Sequence, residues 1–389
     1  MDRKVLACAL GVLGLGLPQV GAKAQSIVVP GIGDQLPESL YQSEFSLFTE
    51  ASPGTTFTYT LSSSALTTFL SSTQYDFAAI EMPLTEGNLQ GYARGAADGA
   101  LIQIPMFGVA ITVPFNNAGT RTLTLTDDQL CGVLSARLTD WSQLTAKAAP
   151  GTIQVIYRSD GTSTTTLLTQ HLDAVCNTAN SSFSTYPVPI TSVFAQLFPG
   201  EQPPANFTGA SGAAAEASAL VNTPLSLGYL TPDYTSIAPN SPNTTSLAVA
   251  GLANATNSVA YTPTVTNTAL ALANPGPGSA DPMPPSTKAT AANQLDWGPT
   301  DPDPTKGYPI VGYSGWLLVT CYPSAPGGKT IVSFLKDFYG NKQYVTIRTN
   351  QGFASVPSPW SSAVSNVFLS NKSGYGLNID NATACAGHG

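Results

Sequence analysis

The sequence predicts an α/β protein with room for two domains. Three observations carry that expectation. Residues 153–175 read as a strand, a polar loop and a helix; three earlier strand-like runs end on polar groups; and 389 residues are enough to build two real cores.

The central stretch is the most informative. Ile153, Val155, Ile156 and Tyr157 are β-formers, interrupted only by Gln154. Arg158 follows, then Ser159-Asp160-Gly161-Thr162-Ser163-Thr164, a run made only of Ser, Thr, Asp and Gly. Leu168, Leu172 and Val175 then recur at i, i+4 and i+7, a helical stripe. A helix N-terminus carries unpaired N–H groups and a partial positive charge, so hydroxyls and a guanidinium beside it suit a small oxyanion. The alternative is an ordinary Ser/Thr-capped turn that binds nothing.

In chain order, residues 1–24 read as a signal peptide: Asp2-Arg3-Lys4, an apolar run from Val5 to Leu17, and Ala22-Lys23-Ala24 before Gln25. The apolar run is too brief to span a bilayer, and no later stretch is apolar enough to do so. The expected location is therefore the periplasm or the exterior. Ile27-Val28-Val29 is a buried strand, followed by the turn-rich loop Pro30 to Pro37 and a short helix through Tyr41. Leu61 to Leu66 is a second polar loop. Tyr75 to Ile80 is a strand ending at Glu81. Gln35, Ser62 and Glu81 thus lie at three strand ends, where open α/β sheets bind ligands; taken singly, each is an ordinary cap or loop residue.

Leu101 to Phe115 is a long strand passing between domains. Thr126-Asp127-Asp128-Gln129 has the form of a capping box, with Leu130, Val133 and Leu134 as the helix stripe. Gly209-Ala210-Ser211-Gly212 precedes an Ala-rich helix, and Leu225 to Leu230 is a strand. Residues 239–303 are rich in Pro, Asn, Ser, Thr and Ala and are expected to form a surface excursion. Gly307 to Val319 is the last strong strand. Ile331, Phe334, Leu335 and Phe338 mark a helix, and Trp360, Val364, Val367 and Phe368 another.

The formal net charge is −8, with no Lys/Arg run, which disfavours nucleic acid as a partner. Cys131, Cys176, Cys321 and Cys385 remain after cleavage of the signal. An even count in an exported chain predicts two disulfides with three possible connectivities; the local pairing, Cys131–Cys176 and Cys321–Cys385, is the expected one. Only His171 and His388 are present, there is no G-x-S-x-G elbow, and no metal-ligand spacing stands out, so the expectation is a non-catalytic protein without cofactor. His171 reads as a helix-surface or boundary residue. Tyr234, Tyr261 and Trp297 would be packing anchors or, in an alternative role, contacts to a protein partner.

Tyr157-Arg158-Ser159-Asp160 with Thr164-Thr165, Leu101-Ile102-Gln103-Ile104-Pro105, Val113-Pro114-Phe115-Asn116, Leu130-Cys131-Gly132-Val133 and Gly307-Tyr308-Pro309-Ile310 together resemble the phosphate-binding periplasmic proteins. The match is nearest to the DING branch, relatives of the solute-binding component of the phosphate ABC transporter. The resemblance implies a type II periplasmic-binding fold of two α/β lobes joined by two crossing strands, with lobe 1 at 25–108 and 307–389 and lobe 2 at 109–306. It implies a monomer, an ABC-transporter permease as candidate partner, and support for the local disulfide pairing. The family's phosphate ligands map onto Gln35, Leu36, Ser62, Glu81, Arg158, Thr162, Ser163 and Thr164. Val28-Val29-Pro30-Gly31 replaces the Asp-Ile-Asn-Gly that names the branch. Gln35 replaces a threonine, Ser163 a glycine, and Glu81 the aspartate that accepts the proton of hydrogen phosphate. The implied function is capture of phosphate or a similar tetrahedral oxyanion for uptake or scavenging. Another anion, a protein-partner role and, further off, a phosphatase-like hydrolase are the alternatives.

Overall fold

The computed structural model describes residues 26–239, 241, 247–279, 283–323 and 325–388. The expected signal peptide lies outside them. The chain begins β1 (Ile27–Gly33), α1 (Glu38–Ala51), β2 (Thr55–Leu61), α2 (Ala65–Ser71), β3 (Phe77–Ile80), α3 (Glu86–Gln90), α4 (Gly95–Asp98) and β4 (Leu101–Ala110). It continues with β5 (Pro114–Asn116), β6 (Thr124–Leu125), α5 (Asp127–Leu134), β7 (Gln154–Arg158), α6 (Ser163–Val175), β8 (Phe207–Ala210), α7 (Ala213–Asn222) and β9 (Ser226–Leu227). Then come β10 (Ala248–Val249), β11 (Gly251–Ala253), β12 (Ala260–Tyr261), α8 (Val265–Leu272) and α9 (Lys288–Ala292). The chain closes with β13 (Val311–Val319), α10 (Ala325–Gly340), α11 (Lys342–Asn350), β14 (Ala354–Ser355) and α12 (Ser358–Val367).

Two main sheets define two lobes. The first has the order β14-β4-β13-β3-β1-β2, the second β10-β5-β9-β7-β8. Strands β1, β2 and β3 are parallel, as are β7 with β8 and with β9. β13 runs antiparallel between β3 and β4, so the sheet of lobe 1 is completed by the C-terminal part of the chain. A small third sheet, β12-β11-β6, flanks lobe 2. The chain leaves lobe 1 through Ile111–Val113, directly after β4, as the long apolar run suggested. Ile310 runs alongside on the return, accepting a hydrogen bond from the Ile111 N–H at 2.9 Å.

The core of lobe 1 is aromatic. Phe77 stacks on Trp316 at 4.1 Å between ring centroids, and Phe334 lies over Trp316 at 5.3 Å and Phe57 at 4.9 Å. Each such side chain, buried from water, contributes roughly 1.5–3 kcal/mol. Gly31 and Gly33 let β1 lie this close: a Cβ at Gly31 would enter the Phe77 ring, and one at Gly33 the Tyr59 hydroxyl. Helix α1 extends to Ala51 rather than stopping at Tyr41, because Tyr41, Phe45 and Phe48 continue one buried face. The capping box at Thr126 and Gln129 is formed. Both disulfides are formed in the local pairing, Cys131–Cys176 in lobe 2 and Cys321–Cys385 in lobe 1.

The described residues between 239 and 303 depart from the expected excursion. Leu247, Ala250, Leu252, Ala271, Leu272, Ala291 and Trp297 are buried. Helix α8 packs on β4, β13 and β14, and the turn around Trp297 packs on β4, so much of this segment covers the sheet of lobe 1 rather than extending lobe 2. Trp297 sits 4.6 Å from Phe368 and 6.3 Å from Trp360, centroid to centroid. Its low content of large apolar residues hid a few anchors that do the packing.

Candidate functional site

The carboxyl ends of β1, β2 and β3 face the N-terminus of α6 across a cleft of about 340 Å³. From lobe 1 it is lined by Asp34, Ser62, Ser63 and Glu81; from lobe 2 by Gly161, Thr162, Ser163 and Ser192. Helix α6 starts where the sequence places it. Thr162 has extended backbone and its hydroxyl accepts the Thr164 N–H at 3.3 Å, a helix N-cap.

Ser163 is the centre of the site. Its N–H and its hydroxyl both donate to Asp34 Oδ2, each at 2.5 Å, and its Oγ lies 2.6 Å from Glu81 Oε2. The other Asp34 oxygen accepts from the Gln35 N–H at 2.6 Å. A hydroxyl has one proton, so Ser163 cannot donate to both carboxyls at once. Glu81 resolves this. Burial, with the nearby Asp34 charge, raises its carboxyl to about 8. With Glu81 protonated, its O–H donates to Ser163 Oγ and Ser163 donates to Asp34; with Glu81 ionised, the two carboxylates compete for the one hydroxyl proton. Behind it, Ser314 donates to Glu81 Oε1 at 3.1 Å.

Arg158 is buried, 1% exposed. Its Nε and Nη2 donate to the two oxygens of Asp160 at 2.8 and 2.5 Å, and Nη2 also donates to Gln35 Oε1 at 3.0 Å. Burial alone would raise Asp160 and lower Arg158, but the ion pair outweighs it and shifts each towards its charged form. The N–H of Gly212, which adopts a left-handed φ of 84°, donates to Asp160 Oδ1 at 3.0 Å. The Ala213 N–H reaches Gln35 Oε1 at 3.3 Å. Glu216 is fully buried beside Arg158, and that burial pushes its carboxyl well up.

Glu81, Thr162 and Ser163 line the cleft together, whereas Gln35 and Arg158 bond to each other outside its lining, with the guanidinium turned to Asp160. Ser62 lines the cleft and is engaged with Ser64, their hydroxyls 3.0 Å apart. The side chains of Leu36 and Thr164 are buried within their lobes. Sequence reasoning passed over Asp34, Asp160, Ser314 and Glu216. Asp34 and Asp160 stood inside the two polar loops and read as turn formers; their neighbours Gln35 and Arg158 were the available signal. Nothing in the sequence marks Ser314, which comes 233 residues after Glu81. His171 is buried rather than on the helix surface: its Nδ1–H donates to Pro302 O at 2.8 Å, and Nε2 is 3.6 Å from Asp127. Trp297 is a core residue, while Tyr234 and Tyr261 are partly buried.

Among the described residues, no group of three or more His, Cys, Asp or Glu could hold a metal ion, and no helix is long and apolar enough to cross a membrane.

A family model described as a PBP superfamily domain matches residues 21–334. A protein named Alkaline phosphatase L from Pseudomonas aeruginosa is 31% identical over 415 residues, covering 100% of this chain and 98% of that one. A phosphate-binding protein from Stenotrophomonas maltophilia superposes with a TM-score of 0.74 at 28% identity, covering 93% of this chain and 99% of that one. A high-affinity periplasmic phosphate-binding protein, PfluDING, solved with bound phosphate at pH 8.5, gives a TM-score of 0.76 at 26% identity, with the same coverage. The sequence motifs, the two-lobed fold and these likenesses agree: the chain belongs to the PBP superfamily, and within it to the family of DING and other phosphate-binding proteins.

Proposed function

We propose that this protein is an exported, monomeric, non-catalytic binding protein that captures phosphate or a similar tetrahedral oxyanion between its lobes, for uptake through a permease or for scavenging. One observation carries the reading: the N-terminus of α6 already holds an oxyanion, the Asp34 carboxylate, through the N–H and hydroxyl of Ser163. A phosphate oxygen asks for the same donors. Arg158, paired with Asp160 and bonded to Gln35 behind the cleft lining, is the candidate positive charge once an anion competes with Asp160 for it. Ser62, Thr162 and Ser192 line the remaining wall with hydroxyls. The test is calorimetric titration of ligand-stripped mature protein with phosphate, arsenate and sulfate. Saturable binding of phosphate supports the reading; no heat with any of the three rejects it.

A second reading is phosphoester hydrolysis, favoured by the Ser163 hydroxyl between two carboxyls and by the name of the Pseudomonas relatives. Attack of Ser163 Oγ on phosphorus would pass its proton to Asp34 while the phosphorus–oxygen bond to the alcohol breaks; the leaving alkoxide takes a proton from water, and a second water hydrolyses the phosphoserine to free phosphate. Turnover of p-nitrophenyl phosphate that disappears in Ser163→Ala would select this reading over simple capture.

A further inference from the structure

Asp34 is not needed to hold the fold around it. Thr162 already caps α6, and the cleft side of β1 is fixed through backbone: the Tyr59 hydroxyl donates to Asp34 O at 2.8 Å, and Ser62 N–H donates to Gly33 O at 2.8 Å. Yet its carboxylate takes three donors, the N–H and hydroxyl of Ser163 and the N–H of Gln35. Those donors are the ones an incoming oxyanion requires. The same backbone anchors keep Asp34 beside the helix terminus, so an anion seated there lies against its side chain. The titratable groups around Asp34 are mostly acids. Glu38 lies on α1, the Tyr59 phenol on β2, and Glu81 at the end of β3. Beyond β7, Asp160 neutralises Arg158, with Glu216 of α7 behind it.

We propose that Asp34 is a tethered competitor for the oxyanion, which seats only when Asp34 takes up a proton and turns from acceptor to donor, so that capture is proton-coupled. The inference rests on the oxyanion reading given above and adds a specificity residue to it. The proton moves from solvent to the Asp34 carboxylate, the Ser163 donors pass to the ligand, and the new O–H of Asp34 donates to a ligand oxygen.

The test is phosphate titration of the full mature chain as wild type, Asp34→Ala and Asp34→Asn, between about pH 6 and about pH 9, in buffers of differing ionisation heat. The expected result is a wild-type affinity that falls about tenfold more per pH unit than that of either variant, with about one more proton taken up per phosphate bound. Asp34→Ala should bind at least about tenfold more tightly than wild type near pH 8. Asparagine keeps the shape of the side chain, so a folding defect confined to the alanine variant does not blur the outcome. Equal slopes and equal proton counts in all three proteins overturn the role of Asp34 while leaving the oxyanion reading intact. No binding by any of the three overturns both.

Discussion

The two lobes bring opposite chemistry to the cleft. Lobe 1 presents acceptors and a held proton: Asp34, the Gln35 carbonyl and Glu81. Lobe 2 presents donors: the N–H and hydroxyl of Ser163 and the guanidinium of Arg158. The lobes are therefore complementary to each other as well as to an anion. Under the proposed function an anion would compete with lobe 1 for what lobe 2 offers, and affinity would read the difference between two good interactions rather than the strength of one.

The sharpest way to break this division is to remove the donor charge. Arg158→Ala should weaken phosphate binding about a hundredfold or more in calorimetry, since it strips a buried charge and leaves Asp160 without its partner. It should also lower unfolding free energy in urea, by about 2 kcal/mol once the partial exposure of Asp160 is discounted. Unchanged affinity would remove Arg158 from the site.

Next come the staples, one per lobe. Cys131–Cys176 closes 45 residues and Cys321–Cys385 closes 64. Replacing either pair by serine should cost about 2–4 kcal/mol in its own lobe. Hydrogen exchange should show the loss confined to α5 and α6 in one case and to the C-terminal segment beside β13 in the other. A loss spread evenly over both lobes would mean that they unfold as one unit.

Glu81→Gln sharpens the acceptor side. Because burial raises the folded acid to about 8 against an ordinary 4.5, stability from this group is complete below pH 4.5 and drains away as pH rises towards 8. The amide should flatten that part of the stability profile. For sulfate, which brings no proton, the ratio of variant to wild-type affinity should grow about tenfold between about pH 6 and about pH 9. A constant ratio would show that Glu81 does not titrate in the site.

The smallest effect is expected away from the cleft. Ser39 of α1 donates to Asp233 of lobe 2 at 2.7 Å. Ser39→Ala should cost about 1 kcal/mol in thermal unfolding, with the phosphate Kd moved by less than about threefold. A larger change in Kd would make this contact part of closure.

The fold was legible because its signals are local. The β-former run from Ile153, the capping box at Thr126 and the stripe Ile331-Phe334-Leu335-Phe338 each depend on a few neighbouring residues. The site was half legible for the same reason: Arg158, Thr162 and Ser163 share one loop. What escaped depends on contacts far apart in sequence. Asp34 looks like any turn aspartate until α6 from the other lobe is placed against it. Ser314 gains meaning only where β13 shifts register between Ser314 and Gly315, under Glu81. His171 read as a boundary residue because its cover, Pro302, comes from a Pro-rich segment that carried no packing signal of its own.

The place of β13 sets an order of manufacture. In a chain that emerges from its N-terminus, β3 and β4 are finished long before the strand that belongs between them. The sheet of lobe 1 stays divided, with two hydrophobic edges open, until residues 311–319 arrive. The five strands of the lobe 2 sheet are complete by Val249 and can pair earlier. A ribosome stalled in the last quarter of the message would thus hold a finished half beside an unfinished one, the state that chaperones meet first.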